Sequence, residues 1–163
     1  MAEADWYDAI QNKLGEQFSG VVDNLHLDTG AAKGFSETVK AAIPASREIV
    51  FSFLRRRPDI IGYVSREHAK DLITVEVKEK SLTIEDIYQA KMYKELFGAR
   101  YGFLITVSPI PEALKRLCKQ TYSILHSADD DIYRFLAIAQ FHRAGGFIEW
   151  FEENPFVKES YWK

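Results

Sequence analysis

Apolar positions along the chain follow two rhythms. Between residues 3 and 18, Trp6, Ile10, Leu14 and Phe18 recur every four residues, which lays a broad apolar stripe on one face of an amphipathic first helix. The stretch VVDNLHLDTGAAKG that follows clusters Asp, Asn and Gly and reads as a connection. A short second helix is expected from Phe35, Val39 and Ile43, ended by Pro44. From residue 47 the rhythm becomes that of strands. REIVFSFL, DIIGYV and DLITVEV are rich in Ile, Val and Phe, and their separators are too short to hold a helix, so a three-stranded antiparallel meander is expected.

Thr83 is a natural cap for a helix over Ile84 to Phe97, with Glu85 and Asp86 in the first turn and Gly98 just past the end. YGFLITV is short, apolar and unbroken, as in a buried strand parallel to its neighbour. Pro111 suits the start of another helix carrying Leu114, Leu117, Tyr122 and Leu125 before the acidic ADDD. YRFLAIAQF and FIEWF, on either side of Gly145 and Gly146, complete the pattern as two strands. The expected order is α, α, β, β, β, α, β, α, β, β, an α/β fold with a mixed sheet in a single domain over residues 1–163.

Composition narrows the setting. Forty-seven per cent hydrophobic residues are enough for a core. Twenty-one Lys and Arg against twenty-four Asp and Glu give a net charge of −3, so a nucleic-acid reading must rest on local features. The lone Cys118 excludes an intramolecular disulfide and a multi-cysteine zinc site, and in its apolar helical context it reads as core. The acidic start and the shortness of every apolar run point to a cytoplasmic protein with no membrane association. The four His have no metal-ligand spacing, and no glycine-rich phosphate loop is present.

The candidate chemistry begins in ITVEVK. Alternation turns Ile73, Val75 and Val77 to one face and Thr74, Glu76 and Lys78 to the other, with Glu76 and Lys78 roughly 7 Å apart along the strand. Taken alone, such a pair is what a solvated sheet face carries. Asp59 changes the picture, because a hairpin turning near Arg66 to His68 brings it beside Glu76 and Lys78. Two carboxylates side by side raise each other's pKa unless a cation joins them, and with a backbone carbonyl they form an oxygen set suited to magnesium. A lysine there can orient or help deprotonate water, or stabilise charge on a phosphate.

Pro58 and Asp59 in RRRPDIIGYV, followed by Glu76 and Lys78 in ITVEVKEK, resemble the half-motifs of the PD-(D/E)XK nuclease superfamily. That family has a restriction-endonuclease-like αβββαβ core, and residues 3 to 107 follow its element order apart from the short extra helix. A C-terminal helix and two further strands are then additions to a central mixed β-sheet flanked by helices. Gln89 and Tyr93, one helical turn apart, resemble the Gln-x-x-x-Tyr pair of the RecB-like branch.

The resemblance implies a Mg2+- or Mn2+-dependent nuclease that hydrolyses phosphodiester bonds in DNA. Asp59, Glu76 and the Val77 carbonyl would hold the metal, Lys78 would position water, and Gln89 and Tyr93 would hold the site or contact the DNA backbone. The family also implies a homodimer where two strands must be cut, and many members add a glutamate from the first helix. Glu16 lies off the apolar stripe, and Glu3, Glu37 and Glu48 have no better claim, so this ligand is unassigned.

Arg55, Arg56 and Arg57 lead into the motif, and Lys80, Lys91 and Lys94 lie around its other half, as candidates to neutralise phosphate. An edge strand guarded by charge would account for the arginines equally well. The acidic, aromatic tail FIEWFEENPFVKES suits packing or a subunit contact better than DNA. A catalytically inactive module of the same fold, binding a protein or a DNA structure, is the alternative function.

Overall fold

A computed structural model describes residues 6–29, 34–47, 57–127 and 135–157. Its elements are α1 (Tyr7–Ser19), β1 (Leu25–Thr29), α2 (Glu37–Ala42), β2 (Ile60–Ser65), β3 (Lys70–Lys78), α3 (Ile84–Phe97), β4 (Tyr101–Thr106), α4 (Glu112–Gln120), β5 (Leu136–His142) and β6 (Phe147–Trp150). The six strands form one sheet in sequence order. β1, β2 and β3 are antiparallel neighbours, β3, β4 and β5 run parallel, and β6 returns antiparallel to β5. The chain is therefore α/β with a six-stranded mixed sheet flanked by helices.

Alternation along the strands gives the sheet two unlike faces. Ile60, Val64, Ile73, Val75, Val77, Tyr101, Phe103, Ile105, Ala137 and Ala139 project to one side, where Ile10, Leu14 and Phe18 of α1 complete one continuous cluster. Phe18 meets Phe103 and Phe156 edge-on at 5.9 and 5.0 Å. The tail thus serves packing through Trp150 and Phe156, as its aromatic composition suggested. On the opposite side, α2 and the C-terminal half of α3 cover Ile61, Tyr63 and Leu72. The N-terminal half of α3, with α4, covers Leu104, Leu136 and Ile138. Each parallel step, β3 to β4 and β4 to β5, is made by a helix on that second side.

Three elements differ from the expectation. Residues 25–29, read as connection, form the first strand of the meander; they make a short edge strand, half-buried throughout, whose partner β2 lies more than thirty residues on. The short helix consequently lies between the first and second strands instead of before all three. The expected strand over residues 47–54 falls outside the described residues except for Arg47, which sits in a 3-10 turn. The helix after Pro111 stops at Gln120, short of Tyr122 and Leu125, and of its expected apolar positions Leu117 and Tyr122 are exposed. Cys118 is buried, and burial pushes its thiol pKa up, with the charge of Glu152 adding to the effect. Among the described residues no helix is long and apolar enough to cross a membrane.

Candidate active site

The β2–β3 hairpin sets the geometry. Ile60 pairs with Val75 and Ser65 with Lys70, so the turn spans residues 66–69 and Asp59 stands at the sheet end beside Glu76. Asp59 lies in the bend just before β2 and is buried. One of its oxygens accepts the Val77 backbone N–H at 2.7 Å, and the other accepts the Tyr7 hydroxyl at 2.5 Å. A residue's N–H and C=O leave a strand on the same edge, so the Val77 carbonyl also faces the entry of β2.

α3 supplies the opposing wall, and its start is fixed locally. The Thr83 side chain accepts the Asp86 N–H while Asp86 accepts the Thr83 N–H at 2.8 Å, a reciprocal capping box. Gly98, at φ 63°, closes the other end in the left-handed conformation that glycine adopts without strain. Gln89 thereby faces Glu76 and Lys78. Its amide nitrogen donates to Glu76 at 3.0 Å and to the Tyr93 hydroxyl at 3.2 Å, while its oxygen accepts from Lys78 at 3.2 Å. Lys78 also donates to the same Glu76 oxygen at 2.9 Å and stands 3.8 Å from Asp86.

Glu76, Lys78, Gln89 and Tyr93 therefore form one hydrogen-bonded polar cluster, and Asp59 stands at the same sheet end, close enough for its charge to act on Lys78 and Tyr93. Glu76 is 4% exposed, which removes the solvated-face account of the strand. Tyr93 is 1% exposed, so it lies behind the cluster and not on its surface. Burial acts to lower the Lys78 pKa, but the hydrogen bond to Glu76 and the charges of Glu76, Asp86 and Asp59 outweigh it and hold the pKa above the usual lysine value. Lys78 is an ammonium at neutral pH. Burial, joined by the carboxylates of Glu76 and Asp59, raises the Tyr93 phenol pKa against the opposing hydrogen bond from Gln89, so Tyr93 is neutral.

The other expected residues divide. Arg57 is exposed, with its guanidinium 5.1 Å from the centre of the Phe35 ring, and Lys80 is exposed just after β3. Arg55 and Arg56 lie outside the described residues. Lys91 and Lys94 cannot neutralise phosphate as expected, because both point inward. Lys91 donates to the carbonyls of Ser123 and His126 at 2.8 and 3.1 Å, and Lys94 lies across Gly102, where an added Cβ would meet its Cδ at 2.8 Å.

The first-helix glutamate is not found among the described residues. Glu16 and Glu37 are exposed and pair with Lys13 and Lys40, while Glu3 and Glu48 lie outside the described residues. Tyr7 reaches Asp59 from α1 instead. Its position was readable, since Tyr7, Ile10, Leu14 and Phe18 follow the 3.6-residue period more closely than a stripe begun at Trp6. Among the described residues no three His, Cys, Asp or Glu side chains converge as a metal-holding group. The available oxygen donors are two carboxylates and one carbonyl, a hard set that suits a cation retaining much of its water. No family, no curated protein and no solved structure matches the chain.

Proposed function

We propose that this chain is a metal-dependent nuclease that hydrolyses phosphodiester bonds in DNA, built on a restriction-endonuclease-like core. The observation that carries the reading is the meeting of Asp59, Glu76 and Lys78 at one sheet end, backed by Gln89 and Tyr93. The run α1, β1, β2, β3, α3, β4, with α2 inserted after the first strand, supports it.

Asp59, Glu76 and the Val77 carbonyl would hold Mg2+ or Mn2+. When bound, such an ion supplies positive charge to phosphate oxygens and acidifies water. Lys78 contributes a fixed ammonium that orients water by hydrogen bonding and offsets negative charge developing on the phosphate. Gln89 holds Lys78 and Glu76 in register by donating to one and accepting from the other, and Tyr93 braces Gln89 from behind. Arg57 and Lys80, each two residues from a site residue, would meet flanking phosphates.

A second reading has one observation in its favour. Lys78 already pairs with Glu76 at 2.9 Å and offsets its charge without a metal, as in a catalytically inactive module that binds a protein or a DNA structure. Incubation with single-stranded, duplex and branched DNA in Mg2+ or Mn2+ separates the two. Metal-dependent cleavage is expected, falling about a hundredfold or more in Asp59→Ala, Glu76→Ala and Lys78→Ala. No cleavage of any substrate, or cleavage that survives Asp59→Ala and Lys78→Ala, overturns the nuclease reading.

A further inference from the structure

Tyr7 is a site neighbour that neither the two half-motifs nor the Gln89–Tyr93 pair accounts for. It occupies the first turn of α1, on the opposite side of the sheet from Gln89, and is 9% exposed. Three apolar residues on the same helical face, Ile10, Leu14 and Phe18, seat α1 in the continuous core, which leaves the phenol little freedom to move. Its hydroxyl donates to Asp59 at 2.5 Å, across 52 positions of sequence. The Val77 N–H donates to the other Asp59 oxygen, so the carboxylate is gripped from both sides and its plane is fixed. A hydroxyl donating to a carboxylate is a charge-assisted hydrogen bond, roughly twice as strong as a neutral one.

We propose that Tyr7 is a positioning residue, a neutral α1 donor that fixes the Asp59 carboxylate for a divalent cation. The inference rests on the metal-site reading above. Tyr7 does not touch the cation; it acts through Asp59. Without the hydroxyl, Asp59 keeps its bond to Val77 but gains freedom to rotate, and binding must then restore the lost order.

Manganese titration of the full chain, by calorimetry or electron paramagnetic resonance, tests this without relying on cleavage. Tyr7→Phe removes the hydroxyl and keeps the ring, and Ile10→Val loosens the same helix face without touching Asp59. Mn2+ affinity is expected to fall about three- to tenfold in Tyr7→Phe, since hydrogen bonds to charged groups are among the stronger ones. It should be unchanged in Ile10→Val, although both variants melt below the wild type. Wild-type affinity in Tyr7→Phe overturns the proposal, and so does an equal loss in Ile10→Val, which would make the effect one of general packing. A wild-type chain that binds no Mn2+ overturns the metal-site reading itself, and with it this inference. That failure shows in the wild-type trace and not in the variant.

Discussion

The apolar clusters on the two sides of the sheet, helices included, are of similar total size but are organised differently. On the α1 face a single cluster runs unbroken from Ile60 across Val75 and Phe103 to Phe141. On the α3 face two smaller clusters stand on either side of polar positions that the same strands place there: Thr74, Glu76 and, at the edge, Lys78. The unbroken face can be optimised for packing alone. The divided face gives up apolar contact to hold charged groups in a fixed arrangement, a choice that makes sense where the groups have chemistry to perform. α1 stabilises the sheet, and through Tyr7 it also reaches the polar end.

The contrast can be broken most easily by Phe18→Ala. Phe18 is fully buried between Phe103 and Phe156, so its loss should cost about 3–5 kcal/mol in urea or thermal unfolding. A smaller cost would mean that the α1 face is not the main source of stability.

Next comes Lys78→Met, which leaves the nearly inaccessible Glu76 carboxylate without its counter-charge and should cost about 3 kcal/mol at pH 7. The pH dependence has a definite sign. The folded-state pKa of Lys78 is raised above the usual 10.5, so its ion pair contributes fully below pH 10.5 and is lost as pH rises through the folded value. The stability gap between the wild type and Lys78→Met should therefore be constant near neutrality and close above pH 10.5. A gap that stays undiminished well above that value would mean that the Lys78 ammonium is not its source.

The smallest effect is expected from Glu16→Ala. This residue is exposed and paired with Lys13 on the helix surface, so stability should change by less than about 0.5 kcal/mol and any metal-dependent cleavage should be unchanged. A large loss of activity would restore a first-helix carboxylate to the site.

The parts of the fold governed by neighbouring residues were legible in the sequence. α3 begins and ends where Thr83 and Gly98 predict, because a capping box and a left-handed glycine act within a few residues. The hairpin register followed from alternation and a short turn, and it brought Asp59 beside Glu76 as the spacing suggested. β1 was not legible, since an edge strand of LHLDT has neither a buried apolar run nor a local partner to reveal it. The inward lysines were missed for a related reason. α3 buries Lys91 and Lys94 together with Ile87, Ala90, Tyr93 and Phe97, so its polar residues do not mark its outer face. The Lys91 ammonium goes to the carbonyls of Ser123 and His126, distant in sequence, and the Lys94 stem lies along the bare backbone at Gly102 on the strand beneath the helix.

The central claim is that the polar end of the divided face is a cation site serving phosphodiester hydrolysis. A crystal structure of the wild-type chain soaked in Mn2+ tests it most directly, because manganese can be located by its anomalous scattering. The account predicts a manganese ion bonded to the carboxylates of both Asp59 and Glu76, with the Val77 carbonyl in reach. An unoccupied site at saturating Mn2+, with Lys78 still hydrogen-bonded to Glu76 and Gln89, would contradict it.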